Sequence, residues 1–115
     1  MLPHDHKNEE NAMKPVLDEQ LIYEILSVTE EIPEGKVASY GQIASLIGRE
    51  KNARLVGKVL SRADLYGDYP CHRVVNHAGR LAPGFVRQRE LLAAEHIEFK
   101  PNGYVDMKRF AWDGN

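Results

Sequence analysis

The sequence has one cysteine, Cys71, in 115 residues. That excludes an intrachain disulfide and any multi-cysteine metal site, and leaves either a buried small hydrophobe or a reactive thiol. Long apolar runs are also missing. None approaches the roughly 20 residues needed to span a bilayer, and the acidic, charged N-terminus lacks the apolar stretch of a signal peptide. We therefore expect no membrane partner and a cytoplasmic location. No internal repeat or low-complexity tract occurs. With 43% hydrophobic and 28% charged residues, the composition fits one small domain around a single core and excludes a multidomain machine or a disordered chain.

A large net charge is absent too, but the formal −2 hides an uneven distribution. Residues 1–34 hold Lys7 and Lys14 against nine acids, which is −7. Residues 35–63 hold Lys36, Arg49, Lys51, Arg54, Lys58 and Arg62 against Glu50 alone, which is +5, and the remainder balances. A concentrated basic segment is able to meet a polyanion locally, although a solvated helix face produces the same pattern.

The segment Met1 to Lys14 is polar and unpatterned and is expected to be a disordered tail, residues 1–14, ahead of a domain over 15–115. Its His4 and His6 carry no metal assignment. From Val16, the apolar positions Leu17, Leu21, Ile22, Ile25, Val28 and Ile32 predict an amphipathic helix of about 15 residues, terminated by Pro33 and Gly35. Ser39 is placed to cap a helix from Tyr40 to about Ile47, stopped by Gly48. A further helix is expected from Asn52 to about Ala63, and two short helices joined through a Gly-containing turn outline a helix-turn-helix. On the second helix Leu55, Val56, Val59 and Leu60 share one side, and Arg54, Lys58 and Arg62 another. Ala53 and Gly57 flank the basic stripe and would allow close approach to a nucleic-acid groove. A close helix–helix contact is an equal explanation for Gly57.

After the irregular Tyr66 to Pro70, Cys71-His72-Arg73-Val74-Val75 reads as a strand, with Arg80-Leu81 pairing back as a hairpin. Val86 to Glu95 reads as a helix with Leu91 and Leu92 inward. Ile97–Phe99, Tyr104–Met107, Phe110 and Trp112 suggest a hairpin or extended cover with an anchored end. A thiol becomes a nucleophile when its pKa is lowered or a base takes its proton, and imidazole is the usual agent. Neighbours in an extended chain point to opposite faces, so His72 would need a bend or a bridging water to reach Cys71. The residues alone leave Cys71 a candidate.

Ile32-Pro-Glu-Gly-Lys-Val-Ala-Ser-Tyr-Gly-Gln-Ile-Ala, Ala53-Arg-Leu-Val-Gly57, Pro70-Cys-His-Arg-Val-Val and Leu91-Leu-Ala-Ala-Glu95 together resemble the C-terminal, DNA-binding and active-site domain of the alkylguanine-DNA alkyltransferases, over roughly residues 17–96. The resemblance implies a mainly α fold with small β elements (α+β) containing a winged helix-turn-helix. It also implies a single-turnover repair reaction on alkylated guanine in double-stranded DNA, without cofactor or metal. The damaged base is turned out of the duplex and the Cys71 thiolate attacks the alkyl carbon. His72 would act through a water as base, with Glu95 orienting it. Tyr40 would crowd the rotating phosphate or protonate the departing guanine. Arg54 would fill the vacated space in the duplex, Ala53 and Gly57 would permit its approach, and Ser39, Lys58, Arg62 and Arg73 would complete the DNA contacts. The protein is expected to act as a monomer, associated with the nucleoid when bound to DNA.

Three departures from the family pattern touch the pocket. The segment between Cys71 and Glu95 is about three residues shorter, with Pro83-Gly84-Phe85 where the family closes a loop over the base. Ala63 or Asp64 stands in place of an Asn eight residues before the cysteine, and His96 replaces a Gly after the glutamate. Slower transfer or acceptance of bulkier groups is expected. The family's separate N-terminal domain is not seen, and the ending Tyr104 to Trp112 resembles the alkyltransferase-like proteins. Those bind alkylated guanine without repairing it, hand the lesion to nucleotide excision repair, and carry Trp or Ala where this chain has Cys71. The expectations are thus an enzyme, a lesion sensor, or a winged-helix regulator with an inert cysteine.

Overall fold

The computed structural model describes residues 19–115. The expected tail with His4 and His6, and the first residues of the helix expected from Val16, lie outside the described residues. Helix α1 (Glu19–Glu31) buries Leu21, Ile22, Ile25, Leu26 and Thr29, which lie on one face at helical spacing. Thr29 Oγ1 donates to the Ile25 carbonyl at 2.8 Å, so its burial leaves no hydroxyl unpaired. Pro33 follows the helix, and the chain reverses at Gly35, whose φ of +86° suits a residue without Cβ.

Strand β1 (Ala38–Ser39) leads into α2 (Tyr40–Leu46), and Ser39 caps it as expected, its Oγ accepting from Gln42 N at 3.0 Å. Helix α3 (Ala53–Leu60) follows and buries Leu55, Val56, Val59 and Leu60 against α1 and α2. It ends earlier than expected. Ser61 Oγ donates to the Lys58 carbonyl at 2.8 Å, Arg62 leaves helical geometry, and Ala63–Leu65 forms a separate 3-10 turn. A serine hydroxyl that engages a nearby carbonyl competes with helix continuation.

The segment after Pro70 departs from the expected strand. Cys71–Arg73 is a 3-10 turn and only Val74–Val75 (β2) is extended. β2 pairs in parallel with β1, Ala38 opposite Val74 and Ser39 opposite Val75, rather than with Arg80-Leu81. Both valines are buried, and a strand covered on both faces is better served by an interior parallel partner than by a solvent-facing hairpin. The expected return is reduced to a turn in which Asn76 Oδ1 accepts from Ala78 N and Arg80 N.

Helix α4 (Gln88–Ala94) is shorter than the expected Val86 to Glu95, and Val86 is exposed. Leu92 is buried as expected, whereas Leu91 is only partly covered. The expected C-terminal hairpin is a single antiparallel bridge between Phe99 and Val105, after which α5 (Met107–Phe110) leads to a buried Trp112. Val37 ties this end down: its N–H donates to the Phe110 carbonyl at 2.9 Å and its carbonyl accepts from Trp112 N at 2.7 Å. The small sheet divides the core. Ala38 and Val74 join the α1–α3 cluster with Trp112, whereas Val37 and Val75 join Leu92, Ile97 and Val105. Among the described residues no helix is long and apolar enough to cross a membrane.

Candidate functional site

Cys71 sits at the start of the 3-10 turn, with its N–H donating to the Tyr69 carbonyl at 2.8 Å. The turn bends the chain between Cys71 and His72, and the His72 ring bonds Glu95 and is not among the residues that line the cleft beside Cys71. Cys71 lines a cleft of about 660 Å3 walled also by Tyr40 at the head of α2, by Gly57 and Leu60 of α3 and Ser61 just after it, by Ala63, Asp64, Gly67, Asp68 and Tyr69, and by Ala82 to Phe85. The shortened Pro83-Gly84-Phe85 loop therefore lines the same cleft as Cys71. The ring of Tyr40 lies against Gly57, where an added Cβ would stand 3.6 Å from the ring. That is ordinary contact distance, so Gly57 packs helix to helix while also lining the cleft.

His72 and Glu95 meet although far apart in the chain: Nε2 is 2.6 Å from Glu95 Oε2. Glu95 also accepts from Gly35 N at 3.0 Å and from Arg73 Nε and Nη2. Burial alone would raise the Glu95 carboxyl, but hydrogen bonds from Arg73, Gly35 N–H and His72 outweigh it and hold the group below the usual carboxylate range. An ionised carboxylate only accepts, so His72 Nε2 carries the proton in this contact and Nδ1 is the ring nitrogen turned away from Glu95. The backbone at Glu95 is pinned as well. His96 N donates to the Ala93 carbonyl and Ile97 N to the Leu92 carbonyl, while Ile97 and Leu92 share one apolar cluster, which is a Schellman ending for α4.

Arg73, expected among the DNA contacts, is engaged elsewhere. Its guanidinium grips Glu95 and donates to the Ile32 carbonyl at 2.9 Å, so it braces the His72 partner from within. Gln88 was not anticipated. Its side chain is fully buried, its Nε2 donates to the carbonyls of His72 and Val74, and its Oε1 accepts from Ala82 N at 2.6 Å. One amide thus ties the turn that carries the thiol to the loop that borders the cleft. The only sequence signal was a polar residue at the start of an amphipathic helix, which ordinarily points to solvent.

The charge around the thiol runs against activation in the free protein. Burial first, then the Asp64 and Asp68 carboxylates, push Cys71 up to about 11. Tyr40 is likewise raised, by burial and then by the Cys71 charge, and its hydroxyl is a neutral donor. Arg54, Lys58 and Arg62 are exposed, and Ala53 and Gly57 partly covered, so the expected basic stripe is free on the outer side of α3, with Arg62 just beyond the helix end. Ser39 spends its oxygen as acceptor on the α2 cap. Among the described residues no group of three or more His, Cys, Asp or Glu side chains is arranged to hold a metal ion.

The DNA base-flipping protein of Escherichia coli (strain K12) is 36% identical over 115 residues, covering 97% of this chain and 84% of that protein. A methylated-DNA–protein-cysteine methyltransferase of Mycolicibacterium paratuberculosis (strain K-10) is 40% identical over 67 residues, 56% of this chain and 41% of that protein. The crystal structure of Schizosaccharomyces pombe Atl1 with damaged DNA containing O6-carboxymethylguanine superposes with a TM-score of 0.74 at 27% identity, covering 84% of this chain and 97% of that one. The helical arrangement with its small sheet is therefore the winged-helix type of fold found there. The family model described as "6-O-methylguanine DNA methyltransferase, DNA binding domain" matches residues 20–97, and the chain belongs to that family.

Proposed function

We propose that the protein recognises O6-alkylguanine in duplex DNA by turning the base out of the stack into the cleft, and that the Cys71 thiol accepts the alkyl group irreversibly. The observation that carries this reading is Cys71 on the cleft wall, followed in the chain by a His72 whose Nε2 is 2.6 Å from Glu95. The exposed Arg54 and Lys58 lie on α3, the helix that also walls the cleft, so backbone neutralisation and base capture share one rigid element. Arg54 fills the gap left by the base, with Ala53 and Gly57 keeping the approach open and Ser39 and Arg62 at its edges. The names of the Escherichia coli and fission-yeast relatives support base flipping and damaged DNA as the target.

In the transfer step His72 Nδ1 takes the thiol proton through a water, and the sulfur forms its bond to the alkyl carbon as the carbon–O6 bond breaks. The electron pair stays on guanine, which is protonated from the Tyr40 hydroxyl or from water, and the proton taken by His72 returns through water to that donor. The products are S-alkylcysteine and guanine, and no co-reactant is consumed. Glu95 stabilises the imidazolium that forms, and Arg73 holds Glu95 in place.

A second reading has its own support. With the thiol pushed up to about 11, Cys71 is protonated at neutral pH, which suits a sensor that binds alkylated guanine, leaves it intact and passes it to nucleotide excision repair. Intact mass and peptide mapping after incubation with a duplex bearing one O6-methylguanine separates the two. A methyl adduct on the Cys71 peptide, proportional to the DNA added, is expected. Unmodified protein that still selects the damaged duplex moves the function to sensing, and no selection for the lesion overturns both.

A further inference from the structure

We propose that Asp64 and Asp68 make the cleft a charge filter for the O6 substituent, admitting neutral alkyl groups and disfavouring substituents that carry a negative charge; this rests on the function proposed above. Both residues line the cleft together with Cys71, the atom toward which an O6 substituent must point for transfer. Apart from these two and the hydroxyls of Tyr40, Ser61 and Tyr69, the side chains that line the cleft are apolar, Leu60, Pro83 and Phe85 among them. A neutral alkyl group loses little on entering such a site.

An anionic group meets two carboxylates, and none of the residues that line the cleft carries a cationic side chain. Among the described residues neither Asp64 nor Asp68 makes a hydrogen bond or an ion pair. The cationic side chain nearest in sequence to the thiol, Arg73, is occupied by Glu95 and the Ile32 carbonyl. The thiol itself reports the sign of the field, since both aspartates oppose a negative charge on its sulfur. A carboxylate carried into the same space is opposed in the same way. Shape alone does not account for such a bias, because the fission-yeast structure accommodates O6-carboxymethylguanine on this fold. The filter is therefore assigned to this chain's own acidic pair.

The test uses the full chain with Cys71→Ala to stop transfer, and fluorescence anisotropy on duplexes bearing O6-carbamoylmethylguanine, O6-carboxymethylguanine or no lesion. The two adducts have nearly the same size and differ in charge. The neutral adduct is expected to bind about tenfold more tightly at low salt, with the ratio shrinking as salt rises, because the aspartates are solvent-exposed. Asp64→Asn and Asp68→Asn should each lower the ratio, and the double variant should bring it close to unity. Equal binding of the two adducts by the parent chain, or a ratio unchanged in the asparagine variants, overturns the filter while leaving base capture intact. Failure to prefer either adduct over the undamaged duplex overturns the function on which it rests.

Discussion

His72 Nε2 and Glu95 Oε2 stand 2.6 Å apart across 23 residues of sequence, joining the turn that carries the thiol to the end of α4. Glu95 receives hydrogen bonds from three directions, and the ionised state they select makes Nε2 the imidazole nitrogen that donates to it. Removing its charge therefore has consequences for stability and for chemistry. Glu95→Gln should lower stability by about 1–3 kcal/mol at neutral pH, because Arg73 loses its partner in a largely buried setting. The folded pKa of Glu95 is depressed, so its contribution is fully present above the ordinary value of 4.5 and is lost as pH falls through the lower folded value. Urea unfolding of both proteins should show the difference narrowing in that acidic window. A difference constant with pH would contradict the assignment.

Gln88 is expected to behave as a structural clamp. Gln88→Ala removes three hydrogen bonds in the interior and leaves the His72, Val74 and Ala82 backbone groups without it. A loss of about 3 kcal/mol is expected, with faster amide exchange at Ala82, read by thermal unfolding and hydrogen exchange.

The thiol of the free protein should react slowly. The rate of Cys71 alkylation by iodoacetamide should rise with pH toward an apparent pKa of about 11. The group is raised, so the proton leaves only as pH approaches that value. Asp64→Asn with Asp68→Asn lowers it and speeds reaction at neutral pH, by about tenfold for each unit of pKa recovered. A thiol already reactive at neutral pH would refute the electrostatic account.

DNA affinity should depend on α3. Arg54→Ala is expected to weaken binding to lesion-bearing duplex by roughly 1–3 kcal/mol. Lys58→Ala should reduce the slope of log affinity against log salt by about 0.9. Anisotropy titrations over a range of salt concentrations measure both, and salt-independent binding would exclude the nucleic-acid reading.

His96 occupies the left-handed region at φ +68°, just past α4, where the Schellman ending favours glycine. His96→Gly should raise stability by up to about 1 kcal/mol, seen as a higher melting temperature. This site was legible as a departure from the family pattern, which has a glycine there, and the backbone geometry supplies the reason.

The sequence by itself determined the elements whose information is local. Apolar spacing from Leu21 to Ile32 specified α1, Ser39 marked the start of α2, and the faces of α3 followed from helical periodicity. The motifs around Tyr40, Arg54, Cys71 and Glu95 pointed to the family. Only the tertiary structure decided what these residues do to one another. The stretch expected as a strand with its own hairpin became a turn and a parallel pairing, because Val74 and Val75 are buried by segments from both ends of the chain. Arg73 was drawn inward to Glu95, and Gln88 was buried where an amphipathic pattern placed it outside. Asp64 and Asp68 acquired their effect on Cys71 only when the cleft closed around all three. Helix and cap preferences act over a few neighbouring residues, whereas fields and buried hydrogen bonds depend on distances that no local pattern encodes.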